Sequence, residues 1–253
     1  MFMDDSANSP RSLELDVRYR APELLAWCGT LTLAGMIRSQ VQLDWVAPAW
    51  ALLVVALAGV AWWTGQRVFV RQAIVLSFVV LFRAGIHNFY ERSYFLAPGG
   101  YSRALTVGTT VALLFAGLAF AFRLRETPAE ELVAGRLRRA LHFVARHPEQ
   151  VFFFCALALL TALLGAEFDG GVITVAWGVE AVAIFIFALW AGERSYRLSG
   201  LGLLMLCVGK IAVVDFWQLG MRDRAITFLV LGGALTLVSI LYTRKRELFK
   251  RFL

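Results

Sequence analysis

Three ionisable residues stand inside long apolar runs of this chain: Arg83, Glu180 and Lys210. In hydrocarbon each costs about 2.5–3.5 kcal/mol on insertion scales unless something compensates it. Each therefore needs a partner, a route to the interface, or a ligand. Glu180 lies near the start of its run and Lys210 near the end of its run, so in antiparallel spans both sit about 10–12 Å below the same boundary at 1.5 Å per residue. That matched depth predicts an ion pair between them. Arg83 has no such acid, because Leu53 stands at the position corresponding to Glu180. It must snorkel outward, pair elsewhere or hold something anionic. His87 and Asn88 follow it closely, and Arg103 opens the next apolar run; around Lys210 come Asp215, Arg222 and Arg224. The spacing predicts an Asn88–Arg103 contact and an Asp215–Arg224 pair. These nine residues form a buried or outer-face polar cluster with two readings. It locks neighbouring helices together, which is the commoner use, or it accepts an anion or a lipid headgroup.

Other chemistry finds no support in the residues. His142 and His147 lie between apolar runs, which leaves His87 as the one histidine within a run, too few for bis-histidine haem ligation. Cys28, Cys155 and Cys207 all sit in apolar runs and read as small buried hydrophobes. No metal-ligand spacing, phosphate loop, nucleophile elbow or HExxH motif occurs. The expectation is a protein without enzymatic activity, catalytic residues, cofactor or metal. The one enzymatic alternative is His87 acting as a base on a lipid-linked substrate.

The elements that hold these residues follow from composition. The chain is 59% hydrophobic over 253 residues, with a mean hydropathy of +0.68; a soluble domain is roughly half apolar. The excess falls in blocks of about twenty residues, the length of helix that crosses a ~30 Å hydrocarbon core. Barrel strands would alternate in runs of about ten, and stretches such as Trp45–Trp63 and Val151–Phe168 do not. The fold class is all-α integral membrane. Eight spans are expected: Pro22–Ile37, Trp45–Trp63, Val68–Phe89, Ala104–Phe122, Val151–Phe168, Val172–Ala191, Leu198–Trp217 and Ala225–Tyr242.

Net charge is +7. In this setting it marks loop positions and topology, with no nucleic acid implied. With eight spans, 18 basic residues fall on one side and only Arg38, Arg92, Arg103, Arg222 and Arg224 on the other. This asymmetry predicts that both termini are cytoplasmic in a bacterial inner membrane. Met1–Arg20 is polar and shows no cleavage-like pattern after an apolar core, so no signal peptide is expected. Between the halves, Thr127-Pro-Ala-Glu-Glu begins a helix in which Leu132, Leu137, Leu141 and Val144 recur among Arg136, Arg138, Arg139 and Arg146. This predicts a cytoplasmic amphipathic linker helix lying on the membrane surface.

The chain also repeats itself. At a shift of 127 residues, Cys155 falls on Cys28, Trp177 on Trp50, Trp190 and Arg194 on Trp63 and Arg67, Lys210 on Arg83, and Asp215 on Asn88. At a shift of 121, Arg224-Ala-Ile-Thr227 falls on Arg103-Ala-Leu-Thr106. A tandem parallel duplication of a four-helix unit follows, since an even number of spans gives both copies one orientation. The organisation expected is a cytoplasmic segment 1–20, a first repeat 21–123, the linker 124–149, a second repeat 150–246 and a cytoplasmic tail 247–253.

The run from Gly200-Leu-Gly-Leu-Leu to Lys210-Ile-Ala-Val-Val-Asp215-Phe, followed by Arg224-Ala-Ile-Thr to Gly232 and Leu241-Tyr242, resembles the C-terminal helix pair of a large family of uncharacterised bacterial multi-pass membrane proteins. The resemblance lies mainly in residues 200–242. It implies a membrane fold and location, and no established reaction. Three functions are compatible with the sequence. The leading one is an accessory or scaffold subunit of a membrane complex, whose partners are membrane lipids and other membrane protein subunits. The others are a transporter or channel for a small anionic or lipid-linked substrate, with a pathway between the repeats, and the intramembrane enzyme already mentioned.

Overall fold

The computed structural model describes residues 21–91, 102–125, 143–168, 170–211, 213 and 221–249. The helices are α1 (Ala21–Gln40), α2 (Val46–Thr64), α3 (Arg67–Arg83), α4 (Arg103–Arg123), α5 (Pro148–Glu167), α6 (Gly170–Ala191), α7 (Arg194–Lys210) and α8 (Met221–Phe249). Among the described residues five helices are long and apolar enough to cross a membrane: Leu43–Thr64, Arg67–Tyr90, Arg103–Arg123, Pro148–Glu167 and Val172–Ala191. α8 contributes the shorter apolar stretch Phe228–Leu241. α1, with Glu23, Thr30, Thr32 and Arg38, and α7, with Arg194, Arg197 and Lys210, are more polar. The linker's predicted core, residues 126–142, lies outside the described residues, as do 1–20.

The chain forms two units, one up to Leu159 and one from Leu160. The change of unit falls inside α5, later than the repeat boundary read from the sequence at 150. The reason is packing. Phe152 lies over Gly117, where an added Cβ would stand 3.1 Å from the ring, and Phe153 meets Phe115 edge-on at 6.3 Å.

In the first unit α2 is central, against α3 and α4. Its buried residues Ala47, Ala51, Val54, Ala58 and Ala61 follow a four–three spacing, and so do Val107, Val111, Leu114, Leu118 and Ala121 of α4. Such stripes make a seam between helices, and the alanines of α2 allow the close approach that drives association in lipid. The outward faces are apolar too: Leu25, Leu31, Trp63, Phe82 and Ile86 are all more than half exposed. Apolar area of this extent is compatible with lipid around the helices and not with water.

α2 ends because Gly65 adopts φ 69°, a left-handed conformation that closes the helix with a 2.8 Å bond from its N–H to the Ala61 carbonyl. Two residues later α3 begins. It runs to Arg83 and continues as a π-helix, Ala84–Glu91. Ser102 caps α4, its hydroxyl accepting from the Leu105 N–H at 3.2 Å.

In the second unit α6 is central, against α7 and α8. Tyr196, Gly200, Leu203 and Cys207 of α7 face Ala181, Ile184, Phe185 and Ala188 of α6, all of them buried. A Cβ on Gly200 would come within 3.1 Å of the Ala181 carbonyl oxygen and 3.3 Å of the Phe185 nitrogen. Backbone contact is what fixes a glycine here. α6 also ends on a left-handed glycine, Gly192, at φ 73°.

Candidate functional site

The polar residues singled out by the sequence fall into two local clusters. The first surrounds the π-helix. Arg83 donates from Nη2 to the Leu43 carbonyl at 3.2 Å. Leu43–Trp45 is a single 3-10 turn just ahead of α2, so the guanidinium ties the end of α3 to a backbone carbonyl of the turn that leads into α2. His87 is 3% exposed, and its Nε2 stands 3.4 Å from Asp44 Oδ1 in the same turn. Asn88 is fully buried and donates from Nδ2 to Thr106 Oγ1 at 3.2 Å. Arg103 lies over the Phe89 ring, 5.9 Å from its centroid.

Adjacent residues of a helix point about 100° apart, so burying both His87 and Asn88 requires a neighbour on two sides. The 43–45 turn serves one and α4 the other. The wider π turn, a geometry common at functional positions, carries both. Asn88 thus reaches α4 at Thr106, one turn inside the expected Arg103. The Thr106 hydroxyl in turn lies within 3.3 Å of the Arg103 carbonyl.

The second cluster lies in the α5–α6–α7 region. Glu180 is 6% exposed and accepts from the Thr161 hydroxyl at 2.9 Å. The Thr161 carbonyl accepts from Trp177 Nε1 at 3.0 Å. Lys210 donates from Nζ to the Thr174 hydroxyl at 2.8 Å. The expected ion pair is not among the contacts of Glu180. Thr174 precedes Glu180 by six residues on α6, about 9 Å along the axis, so the ammonium sits nearer the beginning of α6 while the carboxylate turns toward α5. Asp215 lies outside the described residues, as do the side chains of Arg222 and Arg224.

Several partners were not legible as such. Asp44 sits in what reads as a loop, yet it meets the buried histidine. Gln72 is 1% exposed and takes a 2.8 Å bond from the Thr30 hydroxyl, joining α1 to α3. Glu149 is fully buried at the start of α5, 2.9 Å from His147 Nδ1 and 3.8 Å from Arg125 Nε. The available signal for Gln72 was an uncompensated amide in an apolar run. For Thr30, Thr106, Thr161 and Thr174 there was none, because threonine satisfies its own hydroxyl on a helix.

The arrangement is one of helix-to-helix bonds within a membrane bundle, and comparison with known sequences agrees. The chain belongs to DUF2339, a family of predicted membrane proteins. The match runs over residues 11–245, far beyond the C-terminal helix pair that first suggested a relationship. No curated protein and no solved structure matches the chain. For a DUF2339 protein the family supplies location and no reaction, and the chemistry must be argued from these residues alone. Among the described residues no three His, Cys, Asp or Glu side chains converge as a metal site would require.

Proposed function

We propose that this is a non-enzymatic, multi-pass protein of the bacterial inner membrane that serves as an accessory or scaffold subunit of a membrane complex. The observation that carries this reading is how the polar groups of the helices are used. Thr30–Gln72 joins α1 to α3, Asn88–Thr106 joins the π-helix that continues α3 to α4, Thr161–Glu180 joins α5 to α6, and Thr174–Lys210 joins α6 to α7. Each bond crosses between helices, which is how polar side chains hold helices together in lipid.

The same reading has eight spans arranged as two parallel copies of a four-helix unit, with both ends of the chain cytoplasmic and a surface-lying linker between the copies. Local geometry supports the duplication. Trp50 Nε1 donates to the Ala34 carbonyl at 3.0 Å, and Trp177 Nε1 donates to the Thr161 carbonyl at 3.0 Å; both residues of the pair are related by 127 positions. Gly65 and Gly192, the two left-handed glycines among the described residues, are related by the same shift. So are both ends of α1 and α5, and both ends of α3 and α7.

The scaffold role is tested on the full chain, tagged at its native locus and extracted in mild detergent. Co-migration with other membrane subunits in a complex larger than the chain itself is expected. Recovery as a lone monomer after in-membrane cross-linking would refute the role.

A further inference from the structure

We infer that a cleft in the first unit, at the Gly65 end of its helices, is a binding site for a phosphate-bearing anion. The cleft holds about 410 Å³, within the ~300–1,000 Å³ typical of small-molecule sites. Arg67 and Arg71 enter it from the beginning of α3, Arg123 from the end of α4, and Arg146 from just before α5, with Gly65 and Gln66 between. Among the described residues no acid lines it. Topology alone asks for basic residues somewhere on this side of a membrane; it does not ask that three separate segments aim them at one concavity. Guanidinium groups are the side chains best matched to phosphate oxygens, because their planar forks bond two oxygens at once.

Two features prepare the set. The Arg123 guanidinium stands 5.1 Å over the Trp62 ring, which limits its freedom before any ligand arrives. The buried Glu149 carboxylate is held by His147 and Arg125, neither of which lines the cleft. The second unit supplies a contrast: 127 residues after Gln66 and Arg71 stand Glu193 and Leu198. The equivalent turn thus bears a carboxylate and lacks one guanidinium. The inference stands apart from the scaffold role and from which side of the membrane the cleft faces. The ligand's shared chemistry is the phosphate, carried either by a phospholipid headgroup or by a soluble phosphorylated molecule.

The test uses the full chain in phosphatidylcholine nanodiscs, titrated with inorganic pyrophosphate, and the detergent-solubilised full chain titrated with short-chain phosphatidylglycerol against short-chain phosphatidylcholine. Binding of either anion is expected, and Arg71→Leu should weaken it about tenfold or more, the worth of one charge-assisted bond. Gln66→Glu, at an exposed turn position, should weaken it similarly and serves if Arg71→Leu does not fold. Arg194→Gln removes the same charge from the second unit and should leave binding unchanged. Phosphatidylglycerol binding alone identifies a headgroup site, and pyrophosphate binding alone a soluble ligand. The inference is overturned if neither anion binds, if both substitutions in the cleft bind like the wild type, or if Arg194→Gln costs as much as Arg71→Leu.

Discussion

Glu180 receives one hydroxyl on one carboxylate oxygen, while its second oxygen is buried without a hydrogen-bond partner. If the residue serves to lock α5 to α6, the bond should matter and the charge should not. Thr161→Val should then cost about 1–2 kcal/mol. Glu180→Gln keeps an acceptor for Thr161 and removes a charge from a low-dielectric site, so it should be neutral or stabilising. Reversible unfolding in mixed micelles measures both. A Glu180→Gln loss as large as that of Thr161→Val would mean the carboxylate charge itself is required, and would favour a ligand or ion role. At the other cluster, Asn88→Ala and Thr106→Val break the same bond, so each should cost about 0.6–1.7 kcal/mol and the double variant little more than one of them. Full additivity of the two would mean that the bond is not what stabilises the contact of the π-helix with α4.

At the scale of elements, two glycines make opposite forecasts. Alanine gains about 0.5–1 kcal/mol over glycine within a helix. At Gly117 the nearest obstacle is the Phe152 ring, a side chain, whereas at Gly200 it is the Ala181 carbonyl and the Phe185 nitrogen of α6. Gly200→Ala should therefore destabilise by about 1–3 kcal/mol, the usual cost of overpacking, and Gly117→Ala by distinctly less. Thermal unfolding of the two variants in one detergent decides it; equal losses would mean that α6 and α7 can slide apart. Elements were also where the sequence was most readable. Helix ends such as Arg67, Arg123 and Ala191 lie within a few residues of the expected spans because Gly, Arg and the edge of an apolar run mark them. Pairing was less readable. Lys210 and Glu180 look like partners by depth, but depth does not specify azimuth, and six residues of offset on α6 separate their contacts. Asp44 was hidden because a lone acid beside a tryptophan looks like an ordinary loop.

For the whole molecule, parity is the decisive property. In the proposed topology four spans separate residues 66 and 193, which would put both on one side of the membrane and residue 102 on the other. In a variant with Cys28, Cys155 and Cys207 replaced, single cysteines at Gln66 and Glu193 should react with an impermeant thiol reagent only after the cytoplasmic face is opened. One at Ser102 should react in intact spheroplasts. Opposite behaviour of the first two sites would remove the parallel duplication. The link between α6 and α7 is only Gly192 and Glu193, and this has a consequence for synthesis. α7, with two arginines and a lysine, is too polar to be drawn into lipid readily alone. If α7 is a span, as proposed, its two-residue tie to an apolar predecessor predicts that the two helices insert as one hairpin, closed by the Lys210–Thr174 bond, with α6 as the guide for the helix that follows it.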